Sequence, residues 1–170
     1  MPRPSAQIIK EFFDYDPISG ALRWKFRDYV RPSWNTKYAG NVVGSLCRNG
    51  YLKLGLKGKN YLVHVIIWAW MTGEWPSVDI DHKDTNRSNN SWSNLRLATR
   101  SQNMANMRNS GRNTSGYKGV FFKKQTGRYR ASIVFQRKEI HLGYFDTPEE
   151  AHAVYKIKQR QLFGEFARAI

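Results

Sequence analysis

Residues 78–106 constrain this fold more tightly than any other stretch. They run Val-Asp-Ile-Asp-His, then a segment crowded with Asn, Asp and Ser, then Asn-Leu-Arg-Leu-Ala, then Thr-Arg-Ser-Gln-Asn-Met-Ala-Asn. Val78–His82 alternates in polarity as a strand does. Residues 83–93 favour local side-chain hydrogen bonds over regular structure and read as a loop. Asn94–Ala98 alternates again. Thr99 and Gln102 form a capping box, which starts a helix near Arg100. The unit is strand, loop, strand, helix.

Asp81 and His82 stand together at the end of the first strand, and Asn103 stands near the start of the helix. A carboxylate and an amide oxygen are hard ligands suited to Mg²⁺, which keeps several waters and takes phosphate oxygens as further ligands. An adjacent histidine accepts a proton from water near neutral pH. Together these groups match what phosphodiester hydrolysis needs. Successive strand residues face opposite sides. The strand must therefore end or twist at Asp81-His82 for both to serve one site.

Charge points the same way. The chain has 170 residues, with 28 Lys and Arg against 13 Asp and Glu, a net charge of +15. Such a field attracts nucleic acid, an anionic membrane surface or an acidic protein. The lone cysteine, Cys47, excludes an internal disulfide and a Cys-based zinc finger. The longest apolar run, Val65–Met71, is too short to span a bilayer, and the N-terminus has no signal-peptide core. The expectation is an intracellular protein with no membrane partner.

The rest of the first half predicts a helix capped by Ser5, with Ile8, Ile9, Phe12 and Phe13 on one face. A turn at 16–20 follows, then short strands at 21–26, 42–46, 51–56 and 61–63, with Asn49-Gly50 as a hairpin signal. Residues 63–71 read as a buried helix opened by His64 and closed by Gly73 and Pro76, with Trp68 and Trp70 in the core. Residues 108–116, polar and with two glycines, read as a linker. Beyond it, 116–120, 129–135 and 139–144 read as strands. A helix then starts at the capping box Thr147-Pro-Glu-Glu150, with Ala151, Val154, Tyr155 and Leu162 buried. The expected organisation is a β-rich segment over 1–62, a catalytic core over 63–107, the linker over 108–116 and a small domain over 117–170.

Asp81-His82, Asn89-Asn90, Asn94-Leu95-Arg96 and Gln102-Asn103, with Asn94 twelve and Asn103 twenty-one residues after His82, resemble the HNH endonucleases. These are the ββα-metal nucleases, and the likeness is to their phage and homing branch. The resemblance covers about residues 60–106. It implies an α+β fold with a ββα-metal core. It assigns His82 as general base, Asp81 and Asn103 as ligands of one divalent metal (Mg²⁺, with Mn²⁺ as alternative), and Asn94 as brace of the loop and base. Asn89 and Asn90 are read as structural, Asp84 as a loop brace, His64 as structural or a secondary contact, and Arg96 and Arg100 as contacts to DNA.

Tyr117-Lys-Gly-Val120, Gly127-Arg-Tyr-Arg-Ala131, His141-Leu-Gly-Tyr-Phe-Asp146 and Glu149–Tyr155 resemble the ethylene-response-factor-type DNA-binding domain, which is also found appended to phage HNH endonucleases. That resemblance implies three antiparallel strands laid in a major groove with one helix behind. By position, Lys118, Lys123, Lys124, Arg128, Tyr129, Arg130 and His141 would face double-stranded DNA. Phe121 and Phe122 stand where the plant pattern has arginine, so the plant target sequence does not transfer.

The combined expectation is a phage or homing endonuclease acting in the cytoplasm of a bacterial host, as monomer or homodimer, leaving 5′-phosphate and 3′-hydroxyl ends. In it, deletion of residues 111–170 weakens DNA binding more than the chemistry at saturation. The competing readings are a non-catalytic DNA-binding regulator and an RNA-directed nuclease.

Overall fold

The Ser5 hydroxyl accepts the amide of Ile8 and starts the first helix, α1 (Ala6–Phe12), whose Ile9 is buried. In the computed structural model the residues described are 2–107 and 113–167, so residues 108–112 of the expected linker lie outside them. The chain forms two compact units, Met1–Leu97 and Ala98–Ile170.

In the first unit, α1 runs directly into β1 (Phe13–Tyr15), which pairs antiparallel with β2 (Leu22–Trp24). The turn between them needs Gly20. Its φ is +75°, and a Cβ there would meet the Ser91 nitrogen at 2.3 Å. The turn thus presses against the loop that precedes β7. Trp92 donates its amide to the Pro17 carbonyl, and the Tyr15 hydroxyl donates to the Asn90 carbonyl at 2.7 Å. A short helix, α2 (Pro32–Tyr38), starts with proline in its first turn.

Then come β3 (Ser45–Leu46), β4 (Leu52–Leu56) and β5 (Lys59–Leu62), an antiparallel sheet in the order β3-β4-β5. Leu54 and Leu56 point into the core while Lys53 stays exposed, as alternation predicts. Helix α3 (Val63–Thr72) buries Val63, Ile66, Ile67 and Ala69, and ends at Gly73 in the left-handed conformation. Around α3 gather Ile9, Phe13, Leu22, Leu54 and Leu56, with Trp68 and Trp70 packed against them. Strand β6 (Asp79–His82) pairs with β7 (Leu95–Ala98), and the loop between them closes with one short 3₁₀ turn at Trp92–Asn94.

In the second unit the Thr99–Gln102 capping box is formed by both of its hydrogen bonds and starts α4 (Arg100–Asn106). β8 (Val120–Lys123), β9 (Arg128–Phe135) and β10 (Lys138–Phe145) make an antiparallel sheet with β9 in the middle. Helix α5 (Pro148–Phe163) starts at the Thr147–Glu150 capping box and buries Ala151, Tyr155 and Phe163. Ala98 and Ala105 share one core with Ile133, Tyr155, Phe163 and Phe166. Helix α4 therefore packs with the sheet-and-helix unit, ahead of the expected linker rather than on the nuclease side of it.

The fold is mixed α+β with small antiparallel sheets, and its C-terminal part holds three antiparallel strands and one long helix as expected. The N-terminal segment is less purely β than expected, since it also carries α1 and α2. No helix among the described residues is long and apolar enough to cross a membrane.

Candidate active site

Asp81 and His82 are both buried at the end of β6, and they face different neighbours. Asp81 turns to β7. The Nε and Nη2 of Arg96 both approach its Oδ2 at 2.9 Å, with side chains 5% (Asp81) and 11% (Arg96) exposed. A buried carboxylate needs a compensating cation, and here a guanidinium supplies it. Arg96, expected to contact DNA, pairs with the expected metal ligand Asp81.

His82 is 3% exposed. Its Nε2 lies 3.0 Å from the Asn90 Oδ1. With the amide oxygen as acceptor, Nε2 carries the ring proton and Nδ1 the basic lone pair. Burial holds its pKa below the usual histidine value, while the Asn90 bond and the nearby Asp84 and Asp81 charges pull it upward and Arg87 pushes it down. The ring is therefore neutral near pH 7, the form a general base requires. Asn90, read from sequence as structural, holds the His82 ring through this bond. The Asn89-Asn90 pair was the only signal for it.

Asn94 is buried and holds the loop by three bonds. Its Oδ1 accepts the Asp84 amide, and its Nδ2 donates to Asp84 Oδ1 and to the Asn89 carbonyl. Asp84 also accepts from the Asn86 amide and the Asn89 side chain, as a loop brace. These donors hold its carboxyl below its ordinary range against a burial effect that raises it.

Tyr51, not expected from sequence, and His64, read as structural or a secondary contact, both neighbour His82. Tyr51 lies with its ring 5.8 Å from that of His82 and 5.1 Å from that of His64. His64 is buried, and it meets His82 edge to face at 5.0 Å. Desolvation, with a smaller contribution from His82, lowers the His64 pKa to about 3. The Arg87 guanidinium sits 4.8 Å over the Tyr51 ring, and its Nη1 donates to the Asn49 carbonyl.

Asn103 is half-buried on α4, and Arg100 is exposed in the first turn of that helix. Both belong to the second unit. Among the described residues no three His, Cys, Asp or Glu side chains gather into a metal cage. One carboxylate beside a histidine instead suits an ion that keeps most of its waters, as Mg²⁺ does. Asp81 is the carboxylate that such an ion would take in this unit, and it would compete there with Arg96 for Oδ2.

In the second unit, strand register sorts the residues expected to meet DNA. Phe121 opposes Arg130, Lys123 opposes Arg128, His141 opposes Ser132 and Tyr144 opposes Arg130, all on the face turned away from α5. Lys123, Arg128, Arg130 and His141 are thus brought onto one open face, with Lys124 exposed at the turn after it. Carboxylates hold the arginines: Arg128 pairs with Asp146 at 2.8 Å and Arg130 with Glu139 at 2.9 Å.

Two expected residues lie elsewhere. Tyr129 shares the inward parity of Ala131 and packs against the Val120, Ala131 and Ala151 cluster. Lys118 donates its Nζ to the carbonyls of Met104, Ala105 and Met107 at the end of α4, where orphan carbonyls and the helix dipole attract a cation. Phe121 and Tyr144, not expected from sequence, are exposed on the open face.

With this geometry in place, comparison with known proteins identifies the class. Residues 61–105 match the HNH endonuclease family model. The chain is 34% identical over 106 residues to Protein 3.8 of Escherichia phage T7, covering 62% of this chain and 87% of that one. It is 36% identical over 123 residues to an uncharacterized HNH endonuclease of Acanthamoeba polyphaga mimivirus, covering 72% of this chain and 63% of that one. A solved structure, titled as DNA binding and cleavage by the HNH homing endonuclease I-HmuI, aligns with a TM-score of 0.43 and 21% identity over 62% of this chain and 57% of that one. The protein belongs to the HNH endonuclease family.

Proposed function

We propose that this endonuclease hydrolyses phosphodiester bonds of duplex DNA with one divalent metal, and that His82 is its general base. The observation that carries the reading is the setting of His82: buried, neutral, tied through Nε2 to Asn90, and next in sequence to a buried carboxylate. Nδ1 of His82 takes the proton of the attacking water. Asn90 fixes the ring, and Asn94 with Asp84 fixes the loop that carries Asn90. Asp81 is the metal ligand in this unit, and Asn103 joins it on its place in the family's residue pattern. Such an ion, Mg²⁺ or Mn²⁺, would supply positive charge where negative charge develops on the phosphate. The open face of β8-β9-β10, with two arginines, a lysine, a histidine and two aromatic rings, suits an ethylene-response-factor-like role against a major groove about 12 Å wide.

Plasmid cleavage tests the reading. Cutting is expected with Mg²⁺ and absent with EDTA. His82→Ala is expected to lower the cleavage rate at least about 10³-fold, in the range of lost base catalysis, while duplex affinity stays within about twofold. Cleavage that ignores EDTA, or a His82→Ala protein that cuts at the wild-type rate, overturns it.

A further inference from the structure

Arg87 lies in the loop that residues 83–93 form, and it stacks on Tyr51, the ring beside His82. Its guanidinium rests 4.8 Å over the Tyr51 ring, which lies 5.8 Å from the His82 ring. Nη1 is anchored to the Asn49 carbonyl at 2.9 Å. Its stem passes the Asn49-Gly50 turn, where a Cβ on Gly50 would touch the Arg87 Cβ and Cδ at 3.8 Å. The side chain is therefore held on three sides by the β3–β4 turn and by Tyr51. One of its five donors is used by that anchor.

The His82 ring also has neighbours with unmet polar atoms. Of three buried side-chain polar atoms without a hydrogen-bond partner among the described residues, two flank this ring: His64 Nδ1 and Asn90 Nδ2. Buried polar groups are rarely left unmet. Two such groups lie beside His82.

We propose that Arg87 is a further catalytic residue, whose guanidinium takes a non-bridging oxygen of the scissile phosphodiester beside His82. The proposal rests on the nuclease reading given above. During attack, water adds to phosphorus, its proton passes to His82 Nδ1, and the 3′-oxygen leaves with the bonding pair. The phosphoryl oxygens gain negative charge on the way to the transition state. A pre-placed guanidinium is worth more to them at that point than in the ground state. Arginine suits the position better than lysine because its planar fork both stacks on Tyr51 and presents paired donors to phosphate. The N-terminal hairpin thus reaches the chemistry through Tyr51 and the Asn49 carbonyl.

The test compares wild type, Arg87→Ala, Arg87→Lys and Tyr51→Leu on one duplex with Mg²⁺. Single-turnover rate at saturating protein and equilibrium duplex affinity in EDTA are both read, and folding is checked by Tm. The expected result for Arg87→Ala is a rate loss of about 100-fold, the size of one lost oxyanion donor, with affinity changed by no more than about threefold. Arg87→Lys is expected to fall between the two, and Tyr51→Leu to lose rate while keeping the charge. A folded Arg87→Ala protein that cuts at the wild-type rate at saturation, or whose whole loss lies in affinity, overturns the proposal. So does an Arg87→Ala protein that unfolds while Arg87→Lys is folded and fully active. A His82→Ala protein that still cuts normally would instead overturn the underlying nuclease reading.

Discussion

A histidine taken out of water stays neutral in the fold, and His64 is 4% exposed. Its nearest ring neighbours are Tyr51 and His82, and neither offers it a negative charge. Its pKa falls from about 6.5 in the unfolded chain to about 3 in the fold. Between those values the unfolded chain binds a proton that the native protein does not. Stability must therefore rise with pH across that window and be lost as pH falls through it. By linkage, His64 makes the protein about 2 kcal/mol less stable at pH 5 than at pH 7.5. His64→Phe removes the titration, so the difference in unfolding free energy between the two pH values is expected to shrink by about that amount. An unchanged difference, measured by urea unfolding at both pH values, would exclude His64 as its source. At this scale the sequence singled out Asp81, His82 and Asn94 through residue type and spacing, and the structure buries all three. It did not carry Arg87 or Tyr51. Their nearness to His82 is set by how the β3–β4 turn folds, and no local pattern encodes a contact 38 residues apart.

Among the elements, α4 changes the meaning of the chain most. Its seven residues are too few to hold as a helix alone. The capping box fixes its start, and its end depends on distant residues. Lys118 donates to the carbonyls of Met104 and Ala105 and of the cap residue Met107, and Gln159 of α5 donates to the Ala105 carbonyl at 2.9 Å. Lys118→Met is expected to lower stability by about 1–2 kcal/mol and to raise amide exchange in the last turn of α4. It is expected to leave the salt dependence of duplex binding unchanged. A log-log salt slope smaller by about one would return Lys118 to the DNA-contacting face. The start of α4 was legible because capping is local. Its partners were not, because they lie across residues whose composition reads as a linker. The same limit explains β1 and α2. Phe13 extends the apolar stripe of α1 and so hides the switch to a strand, and α2 begins without a side-chain cap.

At the scale of the whole molecule, the net charge of +15 splits almost evenly, +8 over residues 1–110 and +7 over 111–170. From sequence, that split suggested a cutting part and a gripping part joined by a tether. The packing of Ala98 and Ala105 into the core of α5 and β9 argues otherwise. The helix that carries Asn103 is built on the C-terminal unit, so removing that unit strips α4 of its apolar contacts and of the donors from Lys118 and Gln159. A chain ending at residue 107 is therefore expected to lose both functions. Duplex affinity falls and its salt slope becomes shallower, because the basic face of β8-β9-β10 proposed to meet phosphates is gone. The single-turnover cleavage rate at saturating protein falls as well, by at least about tenfold, because α4 no longer holds its shape. Quench-flow cleavage at several protein concentrations separates the two effects. A truncated chain that binds weakly but cuts at the full rate once saturated would show that α4 holds its shape without the C-terminal unit, and would restore the division into cutter and grip.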